Sequence, residues 1–348
     1  MDCRIAANRR FLTDLFAGPF PGHAVIMNPL PVPWDLPGDV SCSPEPVARW
    51  LDLSLRRYEA ELTMLEAVPH DGVPVARIPT GTQLFAAAFG CNVHIYPDSP
   101  ACALPLVETA DEADALLAPS LSAPPLARVF ELGRLLRERL GPDVPINVPD
   151  MQSPFDIAAL VWRKEALYMA LVDSPDAVRR LVERCRRLLT DFLQAFMREF
   201  GECCLAHCPN AWAPPELGCW LSEDEAGCMS TAMFQEFCIP PLTEMSHTFG
   251  GMFVHCCATA DYQYESLKRI PNLRGMNRVF QSPGPRPAIE AFTPDTVLMV
   301  AWTDESGCAS MLDMALPETR FLFNMDAPTH DDAKALFARM RERCPRSG

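Results

Sequence analysis

No stretch of the chain is apolar for the roughly 20 residues that a membrane-spanning helix needs. No basic segment leads into an apolar one at the start either: Met1-Asp2-Cys3-Arg4 runs into Asn8-Arg9-Arg10 and a short mixed segment. Neither a membrane span nor a secretory signal is expected. Positive charge is scarce as well. Lys+Arg number 30 against 45 Asp+Glu, a formal net charge of −15, and this disfavours nucleic acid and anionic membranes as partners, because both reward a basic surface. What remains is the composition of a soluble globular chain, 49% hydrophobic and 22% charged with a mean hydropathy of +0.01. Cysteine, by contrast, is plentiful, at 15 residues. Disulfide scaffolds belong to short secreted chains, so free thiols in a reducing cytoplasm are the expectation here. Several cysteines cluster between Cys203 and Cys257.

The 348 residues suffice for two average domains or one large α/β unit. Residues 18 to 48 carry Pro19, Pro21, Pro29, Pro31, Pro33, Pro37, Pro44 and Pro46, which rules out a continuous helix or a central strand and suggests a covering segment or lid. From Pro46 to about Val68, apolar residues at helical spacing predict an amphipathic helix. Beyond it, short apolar runs alternate with helical stretches. Val73–Ile78, Val144–Val148, Gly218–Leu221, Met252–Cys256, Leu273–Val279, Val297–Trp302 and Arg320–Asn324 read as buried strands, and Leu126–Leu140, Pro175–Phe200 and Met233–Thr248 as helices. Such alternation favours a parallel sheet with helices outside. An eighth strand at Cys204–His207 or near residue 84 would close a (β/α)8 TIM barrel.

The polar clusters fall where such a barrel would place its chemistry. Asp150-Met151-Gln152-Ser153, Ser222-Glu223-Asp224-Glu225, His255-Cys256-Cys257, Asn277-Arg278 with Gln281, Trp302-Thr303-Asp304-Glu305 and Asn324-Met325-Asp326 all stand at C-terminal strand ends, which share one rim in a barrel. For Ser222 and Asp304, helix N-capping accounts for the residue equally well. His255-Cys256-Cys257 is the most informative of these clusters. Residues i and i+2 of a strand share a face, so His255 and Cys257 can meet one metal ion, such as zinc, while Cys256 turns toward the packing layer. A buried structural histidine beside small apolar cysteines is the plainer alternative. His207-Cys208, in a proline-rich loop, is a second cluster and reads as a packed loop.

Several stretches, taken in order, resemble the uroporphyrinogen decarboxylase superfamily, which also contains zinc-dependent methyltransferases that act with cobamide proteins. They are Gly81-Thr82-Gln83-Leu84-Phe85 leading to Phe89-Gly90-Cys91, Asp150-Met151-Gln152-Ser153-Pro154-Phe155-Asp156, Ala226-Gly227-Cys228-Met229-Ser230 with Phe234-Gln235-Glu236-Phe237-Cys238-Ile239-Pro240, and Phe253-Val254-His255-Cys256-Cys257 with Leu267 to Asn277. The resemblance covers roughly residues 70 to 342. It implies a single barrel over residues 70–348, behind an N-terminal extension and covering helix at 1–69, with the site on the C-terminal rim. It also implies zinc at the His-x-Cys pair.

The chain departs from the decarboxylase pattern at four places. It lacks the Arg-Gln-Ala-Gly-Arg stretch that binds substrate carboxylates, carries Gly81-Thr82 where an aspartate stands, has Leu160 near the tyrosine position, and has Ala327 near the late histidine. Methyltransferase members use a third soft ligand, a late Cys. Here Asn324-Met325-Asp326-Ala327-Pro328 has none, so Cys308 is the substitute, with Glu223, Asp224 and Asp326 as oxygen alternatives and a packed small residue as the other reading of Cys308. Decarboxylation of a pyrrole acetate needs cations for several carboxylates, and only Arg77, Arg278 and Arg163 can be placed near the rim. The expectation is therefore zinc-dependent methyl transfer, with decarboxylation of a porphyrinogen and a non-catalytic binding module as alternatives. His255, Cys257 and Cys308 would hold the metal. Asp150 and Asp224 would act on protons, while Gln152, Phe155, Asn277 and Trp302 would contact a small-molecule substrate. No cobalamin-binding segment is evident, so a corrinoid would arrive on a partner protein, and the chain itself could be a monomer or a homodimer.

Overall fold

A computed structural model describes residues 1–346 except 97, 98, 207, 210, 279, 281 and 282. Its strands are β1 (Ala24–Met27), β2 (Val93–His94), β3 (Cys102–Ala103), β4 (Ile146–Asn147), β5 (Cys203–Cys204), β6 (Cys219–Ser222), β7 (Met252–Cys256), β8 (Leu273–Arg278), β9 (Val297–Val300) and β10 (Phe321–Met325). Six of them form one parallel sheet in the order β1-β10-β9-β8-β7-β6; β4 and β5 form a parallel pair, and β2 with β3 an antiparallel one. Isolated parallel bridges link Ala76 to Ile146 and Gln152 to Ser222. The described residues thus give an α/β fold around a six-stranded parallel sheet, where the sequence predicts an eight-stranded ring.

Strand alternation sorts the buried side chains into two layers. Ala24, Ile26, Trp220, Phe253, Val297, Met299 and Leu322 point to one face, where they meet Phe11, Leu12, Leu15 and Phe16 of the helix Asp2–Ala17. Their strand neighbours Val25, Leu221, Val254, Cys256, Met276, Leu298 and Phe323 point to the other, into the helix layer. Glycine makes the first layer possible at one point: a Cβ on Gly275 would stand 2.7 Å from the Phe253 ring and 2.8 Å from the Met299 sulfur. The helix Pro175–Phe200 fits its expected span. It opens on a proline at its first position, buries Leu181, Val182, Cys185, Leu188, Leu189, Phe192 and Phe196 along one stripe, and stops at Gly201 with φ 66°.

Three departures have local causes. The predicted helix Met233–Thr248 is two helices, Thr231–Phe237 and Ile239–Phe249, because Pro240 lacks an N–H and its ring clashes with a continuing turn. The predicted strand Val73–Ile78 is reduced to the bridge at Ala76, since Pro74 cannot donate and the Val75 N–H goes to the Glu61 carboxylate at 2.8 Å. Residues 18–48 do contain a strand: β1 occupies the proline-free segment between Pro21 and Pro29 and pairs in parallel with β10. Of the two places suggested for an eighth strand, residue 84 opens the helix Leu84–Ala88, while the short β5 reaches the other only at Cys204. His207, Val279 and Gln281 lie outside the described residues.

Candidate functional site

Strand register brings the site together. Ser222 pairs with His255, His255 with Asn277, and Asn277 with Met299 across β6, β7, β8 and β9. One row of residues at the C-terminal ends therefore presents an imidazole beside a carboxamide. Asn277 Nδ2 donates to the Met299 carbonyl at 2.6 Å, so its Oδ1 faces His255 Nδ1 at 2.5 Å. An oxygen in that place requires Nδ1 to carry the proton, which leaves Nε2 with its lone pair directed outward. Nε2 lies 2.8 Å from Cys257 Sγ and 3.8 Å from Asp224 Oδ1. One ligand atom from each of Asp224, His255 and Cys257 lies within 4.8 Å of the others. The pairing of His255 with Cys257 on one face, and Cys256 in the helix layer, is as the alternation predicts.

Asp224 is held from both sides. Its Oδ1 accepts the Cys257 N–H at 2.6 Å, while its own N–H and that of Glu225 donate to the Asp156 carboxylate at 2.7 and 3.1 Å. Partial burial and the Asp224 carboxylate push the Cys257 thiol up to about 11, so without a cation the sulfur keeps its proton. Cys208 Sγ approaches Asn277 Oδ1 at 3.7 Å, and burial, then Asp150 and Cys257, push that thiol up to about 12. Behind Asp224, neither oxygen of buried Glu223 finds a hydrogen-bond partner among the described residues. Burial raises its acid to about 8 although Ser153 and Asp156 stand close enough to oppose the shift. Burial and the negative charges of Glu223 and Asp224 likewise hold Asp156 well above the usual carboxylate range.

The remaining expected residues divide. Asp150 takes the Gln152 amide at 3.2 Å and donates its N–H to Thr80 Oγ1 at 2.7 Å. The Trp302 ring is 60% exposed, stands 6.1 Å from the His255 ring and springs from a residue with φ 55°, in the left-handed region that large side chains avoid. Cys308, expected as a metal ligand, is fully buried in the helix Glu305–Asp313. Burial and the nearby Cys344 push its thiol up to about 12, and it takes no part in the Asp224–His255–Cys257 group. Phe155, expected against the substrate, is a fully buried core residue of the helix Pro154–Val161. Of the three expected rim cations, Arg278 alternates away from Asn277 and donates to Tyr264 Oη at 2.5 Å, and Arg163 pairs at the surface with Glu108 at 2.7 Å. Of the oxygen alternatives, Asp224 joins the group, whereas Asp326 bonds Asn28 at 2.8 Å. Asp156, given no role in the sequence reading, positions Asp224; its signal is its place three residues after Ser153, which caps the helix through the Asp156 N–H.

A parallel α/β sheet gathers a histidine, a cysteine and a carboxylate at its C-terminal strand ends, the place where proteins of this class bind their ligands. Within that class, the sequence profile described as Uroporphyrinogen decarboxylase (URO-D) matches residues 57–276, and the chain belongs to this family. Among solved structures, a methyltransferase from Methanosarcina mazei is similar in fold, with a TM-score of 0.67 and 15% sequence identity over 96% of this chain and 97% of that one. No curated protein matches the chain. No helix among the described residues is long and apolar enough to cross a membrane.

Proposed function

We propose that the chain is a (β/α)8 barrel enzyme that binds zinc through Asp224, His255 and Cys257 and transfers a methyl group between a small molecule and a thiol or a corrinoid-bearing partner protein. The Asp224–His255–Cys257 constellation carries this reading. A nitrogen, a sulfur and an oxygen donor suit zinc, and three protein ligands leave the fourth position open, as catalytic sites require. The donors fit in a further respect: the Asn277 amide leaves His255 Nε2 unprotonated and facing the other two groups. What supports the ring is the pair of bridges from Ala76 to Ile146 and from Gln152 to Ser222, which join the β4 region to its neighbours on both sides.

Zinc held there would favour the thiolate form of a substrate thiol near neutral pH. The chain's own residues do the rest. Asp150, fixed by Thr80, aims its carboxylate at the Gln152 amide; the two together orient the substrate, and the Asp150 carboxylate accepts the proton that a thiol releases. Trp302 gives the open side of the site an apolar wall suited to a methyl group. The decarboxylase alternative requires several cations for a polyanionic porphyrinogen. Of the arginines expected for that task, Arg278 and Arg163 are committed elsewhere.

The first experiment is elemental analysis of purified protein after zinc loading, together with an assay of methyl transfer from a methylated cobamide to a thiol. About one zinc per chain is expected, disappearing in His255→Ala along with the transfer. A protein that takes up no zinc and whose Cys257 reacts freely with a thiol reagent would overturn the proposal. Conversion of uroporphyrinogen to coproporphyrinogen is expected to be absent.

A further inference from the structure

A cavity of about 350 Å³ opens beside the first strand, lined by residues 28–32, Arg57, Glu61 and Arg77. Its place is on the rim. Residues 28–32 follow directly from the C-terminal end of β1, Asn28 bonds Asp326 just past the end of β10, and Arg77 follows the bridge residue Ala76. Arg77 also lies near enough to act on Cys208, whose sulfur is 3.7 Å from Asn277 Oδ1.

Its charges do not balance. Arg77 Nε meets Glu61 Oε1 at 3.2 Å, which uses that carboxylate, but Arg77 Nη2 is buried without a hydrogen-bond partner among the described residues. Arg57 makes no hydrogen bond or ion pair among the described residues and is held only by stacking over the Trp34 ring at 4.5 Å. Burial, then the nearby Arg77 and Arg56 charges, disfavour the Arg57 cation and outweigh the help it takes from Glu61, so this guanidinium is kept in a place that costs it more hydration than the one carboxylate returns. Two guanidinium groups against one carboxylate leave a single positive charge in a chain whose net charge is −15.

We propose that Arg57 and Arg77 form a binding site for one carboxylate of a small-molecule ligand, which Arg77 meets through its unpartnered Nη2 and Arg57 through its planar fork. A single residual charge matches a monoanionic carboxylate better than a phosphate dianion, and the flat guanidinium matches carboxylate geometry. The site rests on its own residues. Its use as the far end of the methyl-transfer substrate rests on the zinc-site reading, and it makes that substrate an acid or a zwitterion rather than the neutral or cationic compound that the overall acidity suggests.

The test is calorimetric titration of the full chain with butyrate, butylphosphonate and butylamine. Butyrate is expected to bind best, and Arg57→Gln and Arg77→Gln are each expected to weaken it about 10-fold or more, with unchanged circular dichroism and unchanged zinc content. No butyrate binding, equal binding in both variants, or tighter binding of the phosphonate would overturn the site. ω-Mercapto acids of increasing chain length extend the test. If one length binds tighter than its simple acid and loses that advantage in His255→Ala, the two sites hold opposite ends of one ligand; if no length does so, the far-end role is overturned. A wild-type protein that takes up no zinc yet binds butyrate through both arginines supports the carboxylate site and overturns the zinc reading alone.

Discussion

A carboxamide has two ends that differ only in what they can donate, and at Asn277 the backbone decides which end faces the histidine. Because Nδ2 is committed to the Met299 carbonyl, Oδ1 must face His255 Nδ1, and the imidazole is held as the tautomer whose Nε2 can bind a metal. Asn277→Leu is therefore expected to lower zinc affinity by about 10- to 100-fold while leaving the sheet intact, with Asn277→Asp, which keeps the acceptor, losing less. Competition with a chromophoric chelator measures the affinity, and ¹⁵N shifts of the His255 ring report the tautomer. An unchanged tautomer in Asn277→Leu would leave the residue a packing role only. The His255–Cys257 pair was legible in the sequence because strand periodicity alone puts i and i+2 together. The third donor was not. Asp224 was one of several carboxylates at strand ends, and what selects it is Asp156, a residue 68 positions away whose inward turn depends on tertiary packing. Cys308 failed for a related reason: the N-cap at Asp304 was legible, but which face of the resulting helix turns toward Cys344 was not.

The junction between the end of β6 and the helix Pro154–Val161 is where element packing sets a cost. Two carboxyl groups, Glu223 and Asp156, are buried there side by side, and the folded state holds Glu223 at about 8 against an ordinary value of 4.5. A raised acid binds a proton in the folded chain that the unfolded chain has already released. Its contribution to stability is therefore fully present below pH 4.5 and is lost as pH rises toward 8. Glu223→Gln cannot ionise. Its melting temperature is expected to exceed the parent's by a margin that grows from pH 5 to pH 8, and a constant margin would mean that the carboxyl is not buried as described. At this scale the strands and helices were mostly legible, since apolar runs and 3.6-residue periodicity are local signals. The errors came at prolines. The count over residues 18–48 hid the short proline-free strand β1, and Pro240 divided a helix whose apolar spacing ran on without interruption.

At the scale of the whole molecule, the site stands at one end of a side-chain layer whose other end is closed by the first helix. Phe16 of the helix Asp2–Ala17 meets Phe253 edge-on at 5.1 Å, Phe253 stacks on Trp220 at 6.2 Å, and His255 follows two residues along the same face of β7. The N-terminal segment therefore supplies both a strand of the sheet and the floor of its inner layer, which a reading of residues 1–69 as an extension does not anticipate, because the burial of the helix is decided by the sheet it covers. Phe16→Ala would leave a cavity that the rigid sheet above it cannot collapse to fill, at a cost of about 3–5 kcal/mol by chemical denaturation. Zinc content is expected to stay at the wild-type level, because the metal-binding groups are fixed by the strand register and by Asn277 and Asp156 rather than by the floor. A loss below about 1 kcal/mol would mean that the helix only rests against the sheet, and loss of zinc together with stability would mean that the two ends of the layer act as one.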